Sequence, residues 1–196
     1  MATYWPALRA IDHLRTFPRE WLPSSALVDF LLLFGAGKPA VRVQITNPEG
    51  DAALLSWCRD VDLDLAIDEE SFACISVERG GARRILKIDR ASEAHEIELG
   101  LALGYPLCCC QRIAAVGEAG IDRYAKEVSH WPFTDPYALI NPSGYLEGRA
   151  LVSHIPCSVN CESSLEIATR ARRFVINHSS EPFLSCLARS KLVAGK

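Results

Sequence analysis

The sequence lacks a basic excess: 21 Lys and Arg stand against 24 Asp and Glu, a formal charge of −3. Non-specific nucleic-acid binding needs surplus cations to neutralise phosphates, so no nucleic-acid partner is expected. A long apolar run is also missing. The longest, Ala26 to Ala36, is interrupted by Asp29 and falls well short of the roughly 20 residues of a membrane-spanning helix. The opening Met-Ala-Thr-Tyr-Trp lacks the basic-then-apolar order of a secretory signal. A cytoplasmic location without membrane association is the expectation. No internal repeat or low-complexity segment is present. Gly35-Ala36-Gly37-Lys38 lacks the spacing of a phosphate loop and precedes a strand pattern where that loop follows one, so no nucleotide site is read there.

What is present is an ordinary globular mixture of 196 residues, 49% hydrophobic and 23% charged. Such a chain buries roughly 70% of its unfolded surface and needs neither disulfide nor metal merely to fold. Trp5, Leu8, Ile11 and Leu14 share a helical face, and a second helix runs through Leu27, Phe30, Leu31 and Phe34 to the stop at Gly35 and Gly37. Val41, Val43 and Ile45 alternate as a strand does. A helix over Ala52 to Arg59 and a strand over Leu63 to Ile67 come next. Phe72 to Asp89, centred on Gly80-Gly81, reads as a hairpin.

From Ala91 the pattern turns helical, over Glu93 to Leu103, Pro106 to Val116, Ile121 to Val128, Ser158 to Ile176 and Pro182 to Leu192. A long proline- and aromatic-rich loop from His130 to Gly148 interrupts it. The expected fold is α+β: a small mixed sheet within residues 1–90, then a helical half over 91–196 carrying the cysteine and histidine motifs, together one compact unit.

Eight cysteines are the unusual number, and they cluster. Cys108, Cys109 and Cys110 are consecutive, Cys157 and Cys161 stand four apart, and Cys58, Cys74 and Cys186 are isolated on apolar patterns that suit a core. Without a secretory signal, the clustered thiols point to thiol chemistry or metal ligation rather than disulfides. The segments Gly104-Tyr105-Pro106-Leu107-Cys108-Cys109-Cys110 and Ser153-His154-Ile155-Pro156-Cys157-Ser158-Val159-Asn160-Cys161 each place a proline where a helix begins and cysteines just inside it. Unpaired N–H groups at a helix start stabilise a thiolate.

These two elements, GYP-x-CC and S-H-x-P-C-S-x-x-C, resemble those of an uncharacterised prokaryotic protein family, over about Ile97 to Arg173. The resemblance implies that both segments belong to one site, and it implies no activity.

The residues support three readings. In the first, the two helix starts form a pocket for a small anionic metabolite, with no cofactor. His154 or His130 is general base, Cys157 or Cys161 is nucleophile or participant, and Cys108, Cys109, Arg112, Ser158, Tyr137 and Arg149 bind substrate. Loss of an anionic leaving group or group transfer, in specialised biosynthesis, is the chemistry such a lyase or transferase site suits. In the second, ligands for zinc or an iron–sulfur centre come from the triplet Cys108 to Cys110, chiefly Cys109 and Cys110, with His154, Cys157 and Cys161. In the third, buried cysteine is a small hydrophobe, and four tryptophans with an apolar second helix dock the chain into a homo- or hetero-oligomer as a non-catalytic subunit.

Overall fold

The computed structural model describes residues 7–47, 49–91, 95–182 and 184. The chain runs through α1 (Ala7–Arg15), α2 (Ala26–Gly35), β1 (Ala40–Gln44), α3 (Gly50–Asp60), β2 (Asp64–Ile67), β3 (Phe72–Ser76) and α4 (Gly81–Asp89). The later half holds α5 (Glu96–Ala102), α6 (Leu107–Val116), α7 (Ile121–Ser129) and α8 (Glu162–Asn177). The expected α+β architecture is borne out, with the sheet in the N-terminal half and helices after it. The three strands, in order β1-β3-β2, pair antiparallel throughout rather than as a mixed sheet. β2 and β3 are joined by a short turn, which only antiparallel pairing allows, whereas β1 reaches β3 across α3 and β2.

Alternation divides the sheet's faces. Val41 and Val43 of β1 stand opposite Ile75 and Ala73 of β3, and all four join the main core. Ala40 and Cys74 turn to the other face, against Ala82 and Ile85 of α4 and Leu103 after α5. β2 lies at the sheet edge, and its one carboxylate, Asp64, accepts the Ala82 N–H at the start of α4 at 2.9 Å.

The main core is built around α2, a helix apolar nearly all round, as befits one covered on every side. It packs on α1, β1 and α8, and the core continues through Ile140, Leu151 and Val175. Asp29, its one charge, is buried and held by two partners. Lys38 Nζ meets one carboxylate oxygen at 2.7 Å, Tyr145 donates to the other at 2.6 Å, and Lys38 also donates to Ser153 at 2.8 Å. This network ties α2 to the segment that carries His154.

Three further expectations are corrected. Gly80 does take a left-handed φ of 75°, but it opens α4 instead of a hairpin turn, so residues from Gly81 to Asp89 are helical. Cysteines 157 and 161 precede α8, which begins at Glu162 rather than Ser158. The long loop contains two 3-10 turns, Tyr137–Ile140 and Pro142–Glu147, the former packed on α8. The expected helix over Pro182 to Leu192 lies almost wholly, and Cys186 wholly, outside the described residues. Among the described residues no helix is long and apolar enough to cross a membrane.

Candidate metal centre

Gly104 sets the first half of the site. Its φ of +79° reverses the chain after α5, and a side chain there would collide with Pro39. Pro106 then caps α6 in an extended conformation, which places Cys108 and Cys109 in the helix's first turn. The second half is the loop from Ser153 to Asn160, anchored where Tyr124 of α7 donates to the Pro156 carbonyl at 3.1 Å. It ends on Cys161, the residue that caps α8.

The two segments meet. The sulfurs of Cys108, Cys109, Cys157 and Cys161 all lie within 4.8 Å of one another. Cys161 Sγ is 3.7 Å from both Cys108 Sγ and Cys109 Sγ, which are themselves 4.0 Å apart. A tetrahedron with metal–sulfur bonds of about 2.3 Å has S···S edges of about 3.8 Å, so the spacing matches one ion shared by four thiolates. In an iron–sulfur cluster the thiolates cap different irons, so their sulfurs stand further apart than a single shared ion requires. Cys109 and Cys161 are buried, Cys157 is half-buried and Cys108 faces solvent.

Electrostatics within the group are uneven. Burial pushes the Cys109 thiol far up and the Cys157 thiol up to about 11, where neighbouring sulfurs add to the effect. Cys161 is also penalised by burial, but the Ser164 hydroxyl and backbone N–H outweigh it and bring the thiol down to about 7. Ser164 Oγ donates to Cys161 Sγ at 3.2 Å and lies 3.5 Å from Cys109 Sγ. His154 Nε2 is 2.8 Å from the same hydroxyl oxygen. Three of the four cysteines sit at helix N-termini, whose positive ends favour the net negative charge of a tetrathiolate centre.

The other expected residues take separate places. Cys110 points away from the cluster, its sulfur 3.8 Å from the Tyr105 carbonyl and packed against Gly100. His154 stands one hydroxyl away from the sulfurs. His130 is exposed and closes the end of α7, its Nδ1 2.7 Å from the Lys126 carbonyl. The Arg112 guanidinium lies over the Tyr124 ring, Arg149 pairs with Glu147, Tyr137 donates to Glu162, and Ser158 donates to Asn160 at 3.2 Å. The isolated Cys58 and Cys74 are buried, and burial raises their thiols to about 12 and about 11. Sequence reasoning missed the Asp29–Lys38–Ser153 link behind His154. A carboxylate inside an otherwise apolar helix was the available signal, because a buried charge requires a partner.

The class of protein is thus an α+β chain whose helical half gathers four cysteines into a single cluster beside a buried histidine. The family model described as "Protein of unknown function (DUF483)" matches residues 75–183, more than half of the chain, and the chain belongs to that family. The match takes in all four clustered cysteines, His154 and Ser164. No curated protein and no solved structure matches the chain.

Proposed function

We propose that Cys108, Cys109, Cys157 and Cys161 bind a single metal ion, zinc, and that the ion fastens the start of α6 to the loop and cap before α8. The observation that carries this reading is the set of sulfur separations, all within 4.8 Å, close to the edges of a zinc tetrathiolate. Four protein ligands leave no open position, so the centre is structural rather than the seat of an activated water. We take GYP-x-CC and S-H-x-P-C-S-x-x-C, both inside the matched residues, as the family's signature. We place the chain in the cytoplasm, because the seven described cysteines form no disulfide among themselves and a reducing compartment keeps thiols so.

The second reading, an enzyme acting on a small molecule, is favoured by a cavity beside the cysteines that His154 borders. Neither Arg112 nor Arg149 turns its charge on the cluster, and four thiolates repel an anion, so anionic substrates have little support.

The test is elemental analysis of protein purified without chelator, repeated on single cysteine variants. One zinc per chain, lost in Cys109→Ser and Cys161→Ser and kept in Cys110→Ser, is the expected result. Absence of metal from the unaltered chain, or a requirement for Cys110, overturns the reading.

A further inference from the structure

A cavity of about 250 Å³ adjoins the cysteine cluster and shares Cys109 with it as a wall. Leu99, Leu103, Ile113 and Ile121 make its sides apolar, and Ser153 and His154 supply polar groups. The volume lies below the roughly 300–1,000 Å³ of pockets that enclose drug-sized ligands, so a single ring or short chain is the size that fits. Glu96 at its border disfavours an anion.

The polarity of His154 has a direction. Ser164 has one hydroxyl hydrogen, and with metal-bound thiolates as acceptors that hydrogen goes to sulfur. Its oxygen then accepts from His154 Nε2–H, 2.8 Å away. A neutral imidazole with its proton on Nε2 carries a bare lone pair on Nδ1. The residue is 7% exposed, and burial together with the charge of Lys38 holds its pKa down to about 3, which keeps it neutral. Nδ1 has no hydrogen-bond partner among the described residues. An acceptor that no protein group meets gains from a ligand that brings a donor.

We propose that this cavity binds a small, neutral, mainly apolar molecule carrying one hydrogen-bond donor, an O–H or N–H, which His154 Nδ1 accepts. The preference for a donor rests on the tetrathiolate reading, since metal-bound sulfur is what orients the Ser164 hydroxyl and through it the imidazole.

The test uses three probes of similar size: phenol, which donates; anisole, which only accepts; and toluene, which does neither. Each is titrated into the purified chain by NMR, with zinc content assayed on the same sample and the His154 ring nitrogens followed in ¹⁵N-labelled protein. Phenol is expected to bind about tenfold tighter than anisole or toluene, the worth of one buried hydrogen bond. It should also shift Nδ1 while Nε2 stays protonated. His154→Phe is expected to remove that preference but keep toluene binding, and Ile113→Trp, which fills the cavity, to remove all three. Leu99→Phe is the second filling variant, and retained zinc shows that either variant is folded. Equal binding of phenol and anisole to zinc-loaded protein, no binding of any probe, or phenol binding undiminished in both filling variants overturns the proposal and leaves the metal centre standing. A chain that holds no zinc as purified and still prefers phenol overturns the tetrathiolate reading and the orientation drawn from it, and supports the cavity as a site for a donor.

Discussion

Cys109 and Cys161 bring their sulfurs to 3.7 Å across a separation of 52 residues, one from the first turn of α6 and the other from the cap of α8. Neither lies on a strand or a helix interior that packing alone would align. What they share is a helix start, and the Ser164 hydroxyl within reach of both.

The first prediction concerns metal and stability together. A ligand bound only by the folded state stabilises it by about 4 kcal/mol when its free concentration is a thousandfold above Kd. Chelation should therefore lower the midpoint of thermal unfolding of the unaltered chain. Cys161→Ser should start at the lower midpoint and not respond to chelator. Differential scanning calorimetry with and without chelator checks both.

A second prediction concerns His154. Its folded pKa is lowered from 6.5 to about 3, so between those values the unfolded chain holds a proton that the folded chain does not. The stabilisation from the neutral ring is complete above about 6.5 and is lost as pH falls toward 3. At pH 5 the loss is about 2 kcal/mol. Urea unfolding of zinc-free protein at pH 7.5 and pH 5 should show the unaltered chain losing more than His154→Gln. Equal losses would refute it.

Removing one partner of the buried Lys38–Asp29 pair, 2.7 Å apart and nearly inaccessible, leaves a lone charge in the core. Lys38→Met should cost about 3–5 kcal/mol. Lys38→Met combined with Asp29→Asn should cost clearly less than the two single losses added together. A double-mutant cycle in denaturant measures the difference, and strict additivity would mean that the pair is not coupled.

Gly104→Ala places a β-carbon against Pro39 at a φ of +79°. The strain should cost about 1–3 kcal/mol. Because the same turn aims α6 at the cysteines, zinc affinity should fall as well, whereas Gly117→Ala, at a similar φ but with open space around it, should spare the metal. Competition with a chromophoric chelator reads the affinity.

Local pattern made much of this fold legible. The alternation of Val41, Val43 and Ile45 marked β1, and the nearly all-apolar run after Ser25 marked a buried helix. The Gly80-Gly81 pair was ambiguous for a physical reason: a left-handed glycine serves a hairpin and a helix entry equally well, and the side chains beyond it decide between them. Ala82 and Ile85, three apart and buried, belong to a helical face. At the site, sequence placed the cysteines at helix starts but could not choose among neighbours. Cys109 and Cys110 differ only in direction around α6, one toward Cys161 and the other toward Tyr105, and that rotation is fixed by packing on α5. The link from Asp29 through Lys38 to Ser153 spans separations of 9 and 115 residues, which no local pattern encodes.

A bond between the α6 start and the α8 cap closes a loop that contains α7 and three 3-10 turns, Glu118–Gly120 among them. Closing a loop of that length lowers the entropy of the open chain, and longer loops gain more. The proposed metal would then act as a stitch, and everything between its ends would share one fate. On chelation, amides from α7 through the Tyr137–Ile140 turn should exchange with solvent as a single cooperative group, while those of the sheet and α2 keep their protection.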